Sequence, residues 1–380
     1  MGNQIELPMY CHNFSLSNHQ NEIPRIDFMP STILLFSTLS KESITPYISQ
    51  LRAHFTTAQF IGCSTSGDIS DGEVRDNSVS VLCLRPERGR IEVFSDRISG
   101  NTSYQAGLDM AKNVPKKNLA HLFILSEGLD VNGSELANGL RDGLPSEISV
   151  TGGLAGDESR FQSTWVLDER DIPRSNGLSV MAFYGNWEIG FGSTGGWDSF
   201  GLERIVTKSK NNVLYEIDHK PALDLYKSFL GAREKELPAS RLLFPLSMRI
   251  NGNEAPVVRT ILSINEEDKS LIFAGDIPEN SYVKLMKANI DRLVNGAENA
   301  ARVALESIKN KPELSILISC VGRRLVLKQL VEEEIETVNS SLSARTSIGF
   351  YSYGELAPFS KGQRCELHNQ TMTVTTIREL

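Results

Sequence analysis

Short apolar runs alternate along the chain with stretches whose apolar positions recur at helical spacing. Ser31–Ser37 is an apolar run of strand length and predicts a buried strand. Lys41–His54 puts Ile44, Tyr47, Ile48 and Leu51 on one stripe, the pattern of an amphipathic helix. Ala58–Ile69 returns to strand pattern, and the turn pair Asp71-Gly72 leads into strands at Ser78–Leu84 and Arg90–Phe94. Helices are predicted at Tyr104–Lys112 and Ser134–Asp142, on either side of the apolar strand His121–Leu125. Strand signals then cluster at Ser163–Asp168, Leu178–Tyr184, Trp187–Gly192 and Arg204–Thr207. The first 30 or so residues read as polar and irregular.

A helix at Ala222–Leu230 opens a second region. In it Val257–Ile264 and Ser270–Ala274 flank a polar turn as a hairpin, and Ile290–Ile308 is a long Ala-rich helix. A strand at Leu314–Cys320, an acidic helix at Arg324–Val338 and strands at Ser347–Tyr353 and Thr371–Ile377 complete the pattern. Early alternation followed by clustered strands predicts an α/β fold: mixed sheets with flanking helices, in two interdigitated regions, 30–222 and 223–377. No internal repeat is visible.

Composition narrows the partners. The 47 acidic residues exceed the 39 Lys and Arg, and a net charge of -8 argues against a nucleic-acid or anionic-membrane partner. No apolar run is long enough to cross a bilayer, and Met1–Leu16 lacks the basic start and apolar stretch of a signal peptide. The five cysteines are odd in number and scattered, so a reduced, cytoplasmic chain is expected rather than a disulfide framework.

Several enzyme signatures fail on inspection. Gly190-Phe191-Gly192-Ser193-Thr194-Gly195 has dinucleotide spacing, but no helix follows to aim its amides at a pyrophosphate. Gly62–Gly67 resembles a nucleophile elbow only loosely, because Ser66 stands where glycine is needed. Cys365 with His368, and Cys11 with His12, would have to meet across the chain to build a zinc site.

Five segments speak instead. Gly62-Cys63-Ser64-Thr65-Ser66-Gly67-Asp68-Ile69 ends a strand in a small, hydroxyl-rich turn that admits a ligand, or a closely packed neighbouring strand. Gly152-Gly153-Leu154-Ala155-Gly156-Asp157 has the same character. Cys320-Val321-Gly322-Arg323 closes an apolar strand, Gly349-Phe350-Tyr351-Ser352-Tyr353-Gly354-Glu355 is aromatic and ends in an acid, and His368-Asn369-Gln370-Thr371 precedes the last strand. In this order the five resemble the FIST N and FIST C regions and span nearly the whole chain.

The resemblance implies a bacterial sensory module that binds a small ligand, is not itself an enzyme, and acts on a separate histidine kinase or cyclic-di-GMP enzyme. It also implies ligand-binding candidates: Cys63, Ser64, Thr65, Gly153, Asp157, Cys320, Arg323, Tyr353, Glu355, His368 and Asn369. Stand-alone members resembling this chain are haem-binding nitric-oxide sensors. Haem b would need an axial histidine in an apolar pocket, with His368 the candidate among six.

The alternative ligand is a polar metabolite such as an amino acid. Arg323 or Arg324 would then hold its carboxylate and Glu355 or Asp157 its ammonium, unless Arg323 and Glu355 pair with each other. A cysteine enzyme pairing Cys63 or Cys320 with His368 is the third reading. The exposed acids around Glu332–Glu336 are expected on a solvated or partner-facing helix surface.

Overall fold

A computed structural model describes residues 9–98, 102–237, 242–250, 256–359 and 362–380. Its core is one four-stranded motif built three times. The first copy comprises β1 (Met9–Ser17), β2 (Thr32–Ser37), α1 (Lys41–His54), β3 (Gln59–Ser64) and β6 (Ser78–Pro86), with the hairpin β4 (Asp68–Ser70) and β5 (Glu73–Arg75) between β3 and β6. The second is β7 (Arg90–Arg97), α2 (Ser103–Asn113), β8 (Leu119–Ser126), α3 (Gly133–Gly143), β9 (Ser149–Leu154), the hairpin β10 (Val166–Leu167) and β11 (Pro173–Arg174), and β12 (Gly177–Tyr184).

The third copy begins with β13 (Trp187–Thr194) and is interrupted by an insert. The insert holds β14 (Trp197–Lys210), β15 (Val213–Ile217), β16 (Lys220–Pro221), α4 (Ala222–Leu230), β17 (Leu246–Arg249), β18 (Val257–Arg259), β19 (Ile261–Asn265), β20 (Ser270–Phe273) and β21 (Tyr282–Ala288). The copy resumes with α5 (Ile290–Glu306), β22 (Leu314–Cys320), α6 (Val321–Leu327), α7 (Val331–Leu342) and β23 (Thr346–Ser352). The hairpin β24 (Gly354–Pro358) and β25 (Cys365–His368) and the strand β26 (Met372–Glu379) complete it.

In each copy two parallel strands joined through helix lie beside two antiparallel ones. The orders are β1-β6-β2-β3, β7-β12-β8-β9 and β13-β26-β22-β23. Each hairpin leaves its own sheet and extends another. β4–β5 joins the third sheet beyond β23, β10–β11 joins the first beyond β3, and β24–β25 joins the second beyond β9. The expectation of no internal repeat is thus corrected. The copies share topology while their connections differ too much for a sequence period.

The inner faces of the three sheets meet in a common core that includes Phe36, Cys63, Phe123, Phe183, Ile318 and Phe350. The outer faces are covered by α1, by α2 with α3, and by α5 with α7. One glycine recurs at an equivalent position. Gly62, Gly152 and Gly349 lie opposite Leu35, Ile124 and Leu317 in the parallel pairs, and a β-carbon at each would overlap that partner's carbonyl oxygen. Gly190 and Gly192, the expected non-dinucleotide pair, lie on β13 under Ala304 and Ala300 of α5, where a β-carbon would strike the helix backbone.

The insert has its own core of Val206, Leu214, Tyr226, Leu246, Phe273 and neighbours. The boundary expected at 222/223 falls at the start of α4, inside this insert. Met9–Ser17, read as irregular, pairs with β6 throughout. Met9 and Cys11 join the inner core and Phe14 and Leu16 the outer one, so neither face shows an unbroken apolar alternation. The single acidic helix expected at Arg324–Val338 is broken, with Lys328 at φ 53° between α6 and α7.

Candidate functional site

The strand ends sort the expected site residues into two groups. The first lies where the chain crosses from sheet to sheet. Ser64 Oγ accepts from the Trp165 amide at 2.9 Å, and Thr65 Oγ1 donates to Asp68 at 2.5 Å. The amides of Ser66 and Gly156 donate to Tyr351 and Ser64 carbonyls at 2.8 and 3.0 Å. Asp157 accepts from the amides of Phe161, Gln162 and Ser163 at 2.8–2.9 Å and from the Tyr353 hydroxyl, whose ring stacks on Phe161. Cys63 is buried in the common core, and Gly153 packs against Ile318 and Phe350. These groups satisfy one another, so the small turns at 62–67 and 152–156 serve strand crossing.

The second group gathers between the third copy and the insert. Glu355 accepts from Ser352 Oγ at 2.6 Å and from Thr371 Oγ1 and N at 2.9 and 3.2 Å. Burial pushes its carboxyl up to about 7, with those hydrogen bonds opposing. Its equivalent in the first copy is Asp68, held by Thr65 and Ser78 at 2.5 and 3.2 Å and pushed up by burial to about 8. The Cys320 amide donates to the Thr371 carbonyl at 3.0 Å, beside Glu355. Asn369 Oδ1 accepts from the Thr260 amide of the insert at 3.4 Å, and Gln370 Nε2 donates to the Leu242 carbonyl at 3.1 Å. Asn369 Nδ2, Gln370 Oε1 and Thr260 Oγ1 are buried without a hydrogen-bond partner among the described residues.

Arg259 was not among the expected residues. It is 5% exposed, donates from Nε to the Asp276 carbonyl at 3.1 Å and from Nη1 to the Leu367 carbonyl at 3.1 Å. Among the described residues no carboxylate lies within 4.0 Å of it, and burial pushes its guanidinium down to about 10. It borders a cleft of about 540 Å³ between the insert and the β24–β25 hairpin, shared with Arg249, Phe359, Arg364 and Glu366. The one sequence signal for it is an arginine inside the apolar run Val257-Val258-Arg259-Thr260-Ile261.

Three expectations are corrected here. Arg323 does not meet Glu355: its Nε and Nη2 reach Glu334 Oε1 at 2.7 and 2.6 Å, and its remaining hydrogens bond the Gly195 and Leu293 carbonyls. Glu334, expected on an exposed acidic face, is fully buried and also accepts from Ser319 and Tyr351. His368 does not fit an axial haem ligand. Its Nε2 donates to the Ala357 carbonyl at 2.9 Å, Phe359 packs on its ring, burial holds it neutral down to about 4, and it lines neither large cleft. His121, the other buried histidine, has both ring nitrogens engaged by Ser149 and Thr151.

A thiol–imidazole pair is likewise not assembled. Burial drives the Cys63 and Cys320 thiols well above their usual range, opposite to nucleophile activation. No group of three or more His, Cys, Asp or Glu side chains suited to a metal ion occurs among the described residues. No helix among them is long and apolar enough to cross a membrane.

The FIST N domain model matches residues 31–220 and the FIST C domain model residues 222–358, so the chain belongs to the FIST family of sensory, signal-transduction domains. It is similar to the uncharacterized protein MJ1623 of Methanocaldococcus jannaschii, 24% identical over 376 residues, covering 85% of this chain and 69% of the relative.

Proposed function

We propose that the chain is a sensor of a small carboxylate-bearing metabolite, held at the junction of the insert and the β24–β25 hairpin. The observation that carries this reading is Arg259, a buried guanidinium whose hydrogen-bond partners are backbone carbonyls, with no carboxylate within 4.0 Å among the described residues and only the charges of Glu366 and Asp276 farther off to favour it, at the edge of a cleft of ligand size. A ligand carboxylate would supply the missing charge through a forked, charge-assisted bond. Arg259 ties β18 to the β25 carbonyl of Leu367, and Asp276 of the insert bonds Asn132 and Ser134 at the start of α3. Ligand binding would therefore bias how the insert rests on the second and third copies, a population shift that a separate cytoplasmic histidine kinase or cyclic-di-GMP enzyme would read.

The test is a thermal-shift screen of amino acids and small mono- and dicarboxylates, repeated on Arg259→Gln. A carboxylate should raise the melting temperature by mass action in the parent and not in the variant. If none does, or if Arg259→Gln responds equally, the reading fails.

A further inference from the structure

We infer that the chain carries a second binding site, for an anionic amphiphile with an alkyl tail, in the cleft between the insert and α6. This cleft, of about 650 Å³, is walled by Phe200, Phe229 and Phe244 of the insert and by Leu325 and Val326 of α6. These side chains are half-buried and face the cleft, while Val321 and Leu327 of α6 are buried in the cores. Ile290, at its border, is 41% exposed. Apolar walls of this kind left in water mark a binding surface.

Among the described residues, the charged ones lining it are Arg233, Lys287 and Lys328, with no acid, in a chain whose net charge is -8. Lys287 and Lys328 are exposed, and among the described residues neither forms an ion pair. Arg233 sits 5.3 Å from the Phe244 ring centroid, placing a cation directly above the apolar wall. The tail would lie on the phenylalanines and the head at this cationic rim.

The shape favours an alkyl chain over a protein helix. A small depression of about 40 Å³ shares Phe200 and Phe229 with the cleft and is lined further by Leu246, Val283 and Leu285, with Arg204 and Lys284 also on its wall. A helix about 10 Å across cannot enter such a slot, whereas the end of a hydrocarbon chain can. Leu202, 78% exposed, stands at its edge. Occupation would also be felt in the core, because α6 carries Arg323, bonded to Glu334, and Arg324, which reaches Asp76 of the first copy at 2.6 Å.

The experiment is isothermal titration with decanoate, decyltrimethylammonium and butyrate, each below its aggregation concentration. In the Arg259→Gln chain, where the carboxylate site is removed, decanoate should bind saturably at one site, and the other two should be at least about tenfold weaker. Lys287→Gln/Lys328→Gln should weaken decanoate several-fold and Leu325→Gln should do likewise, with circular dichroism confirming the fold of both variants. Arg259→Gln should leave decanoate binding at this cleft unchanged from the parent, which separates this site from the carboxylate site. Equal binding of both decyl compounds, no saturable binding, or loss of decanoate only in Arg259→Gln would overturn the proposal. So would an acidic amphipathic peptide that binds the cleft while decanoate does not.

Discussion

Arg323 and Glu334 form an ion pair with both side chains fully buried, joining the helices on either side of the break at Lys328. Removing one partner strands the other charge in the interior. Arg323→Met should therefore lower unfolding free energy by about 4 kcal/mol, read from denaturant titration. Combining it with Glu334→Gln should be clearly less than additive. An additive double variant would show that the two charges are not coupled.

The equivalent glycines make the repeat testable. Gly349→Ala places a methyl against the Leu317 carbonyl, and the parallel pair must part to hold it. A loss of about 1–3 kcal/mol is expected, as for overpacking in a close-packed core. Gly62→Ala should fall in the same range, and Gly152→Ala should cost more, since Gly152 meets the same kind of carbonyl and also holds φ at 154°. A neutral result at any one would break the equivalence.

Asp68 and Glu355 set a pH dependence. Their carboxyls are raised to about 8 and about 7 in the folded chain, whereas unfolded they titrate in the usual range near 4. The folded state thus binds more protons over that window. The stability they contribute is full below about pH 4 and is lost progressively as pH rises to about 8. Asp68→Asn and Glu355→Gln should each flatten the fall in melting temperature between pH 5.5 and 8.5. A slope unchanged in both variants would contradict the assigned protonation.

Thiol chemistry gives a quick check of the interior. All five cysteines are buried and free, and burial pushes each thiol up, Cys83 to about 12. A disulfide exchange reagent should titrate none of them in the native chain within minutes and all five after denaturation. Rapid labelling of Cys63 or Cys320 would revive the enzyme reading.

Much of the α/β pattern was legible because its strands and helices are strongly periodic. Lys41–His54, Ala222–Leu230 and Leu314–Cys320 form where the apolar spacing places them, and Ser40, Thr102, Asn132 and Asn289 cap helices with their side chains. β1 was not legible, since its apolar residues change face midway and each half serves a different core. The threefold repeat was hidden because the first two strands of the three copies are joined, respectively, by an irregular segment, by α2, and by the insert with α5. Its only local traces are the glycine beneath the neighbouring carbonyl and the Gly-acid pairs Gly67-Asp68, Gly156-Asp157 and Gly354-Glu355. Cys320, Glu355, His368 and Asn369 lie near one another around Thr371, but none of them lines the cleft at Arg259. Arg323 finds its acid on a helix whose charges looked solvated, and Arg259 was missed because a lone arginine in a hairpin reads as exposed.

The exchange of hairpins also dictates when the molecule can close during synthesis. β4–β5 leaves the ribosome early but pairs with β23, made more than 250 residues later. The second sheet likewise waits for β24–β25. Until then nascent strand edges stay open to wrong partners, and closing such distant pairings is intrinsically slow. The three sheets therefore cannot all be complete until β23 and β24–β25 have been made.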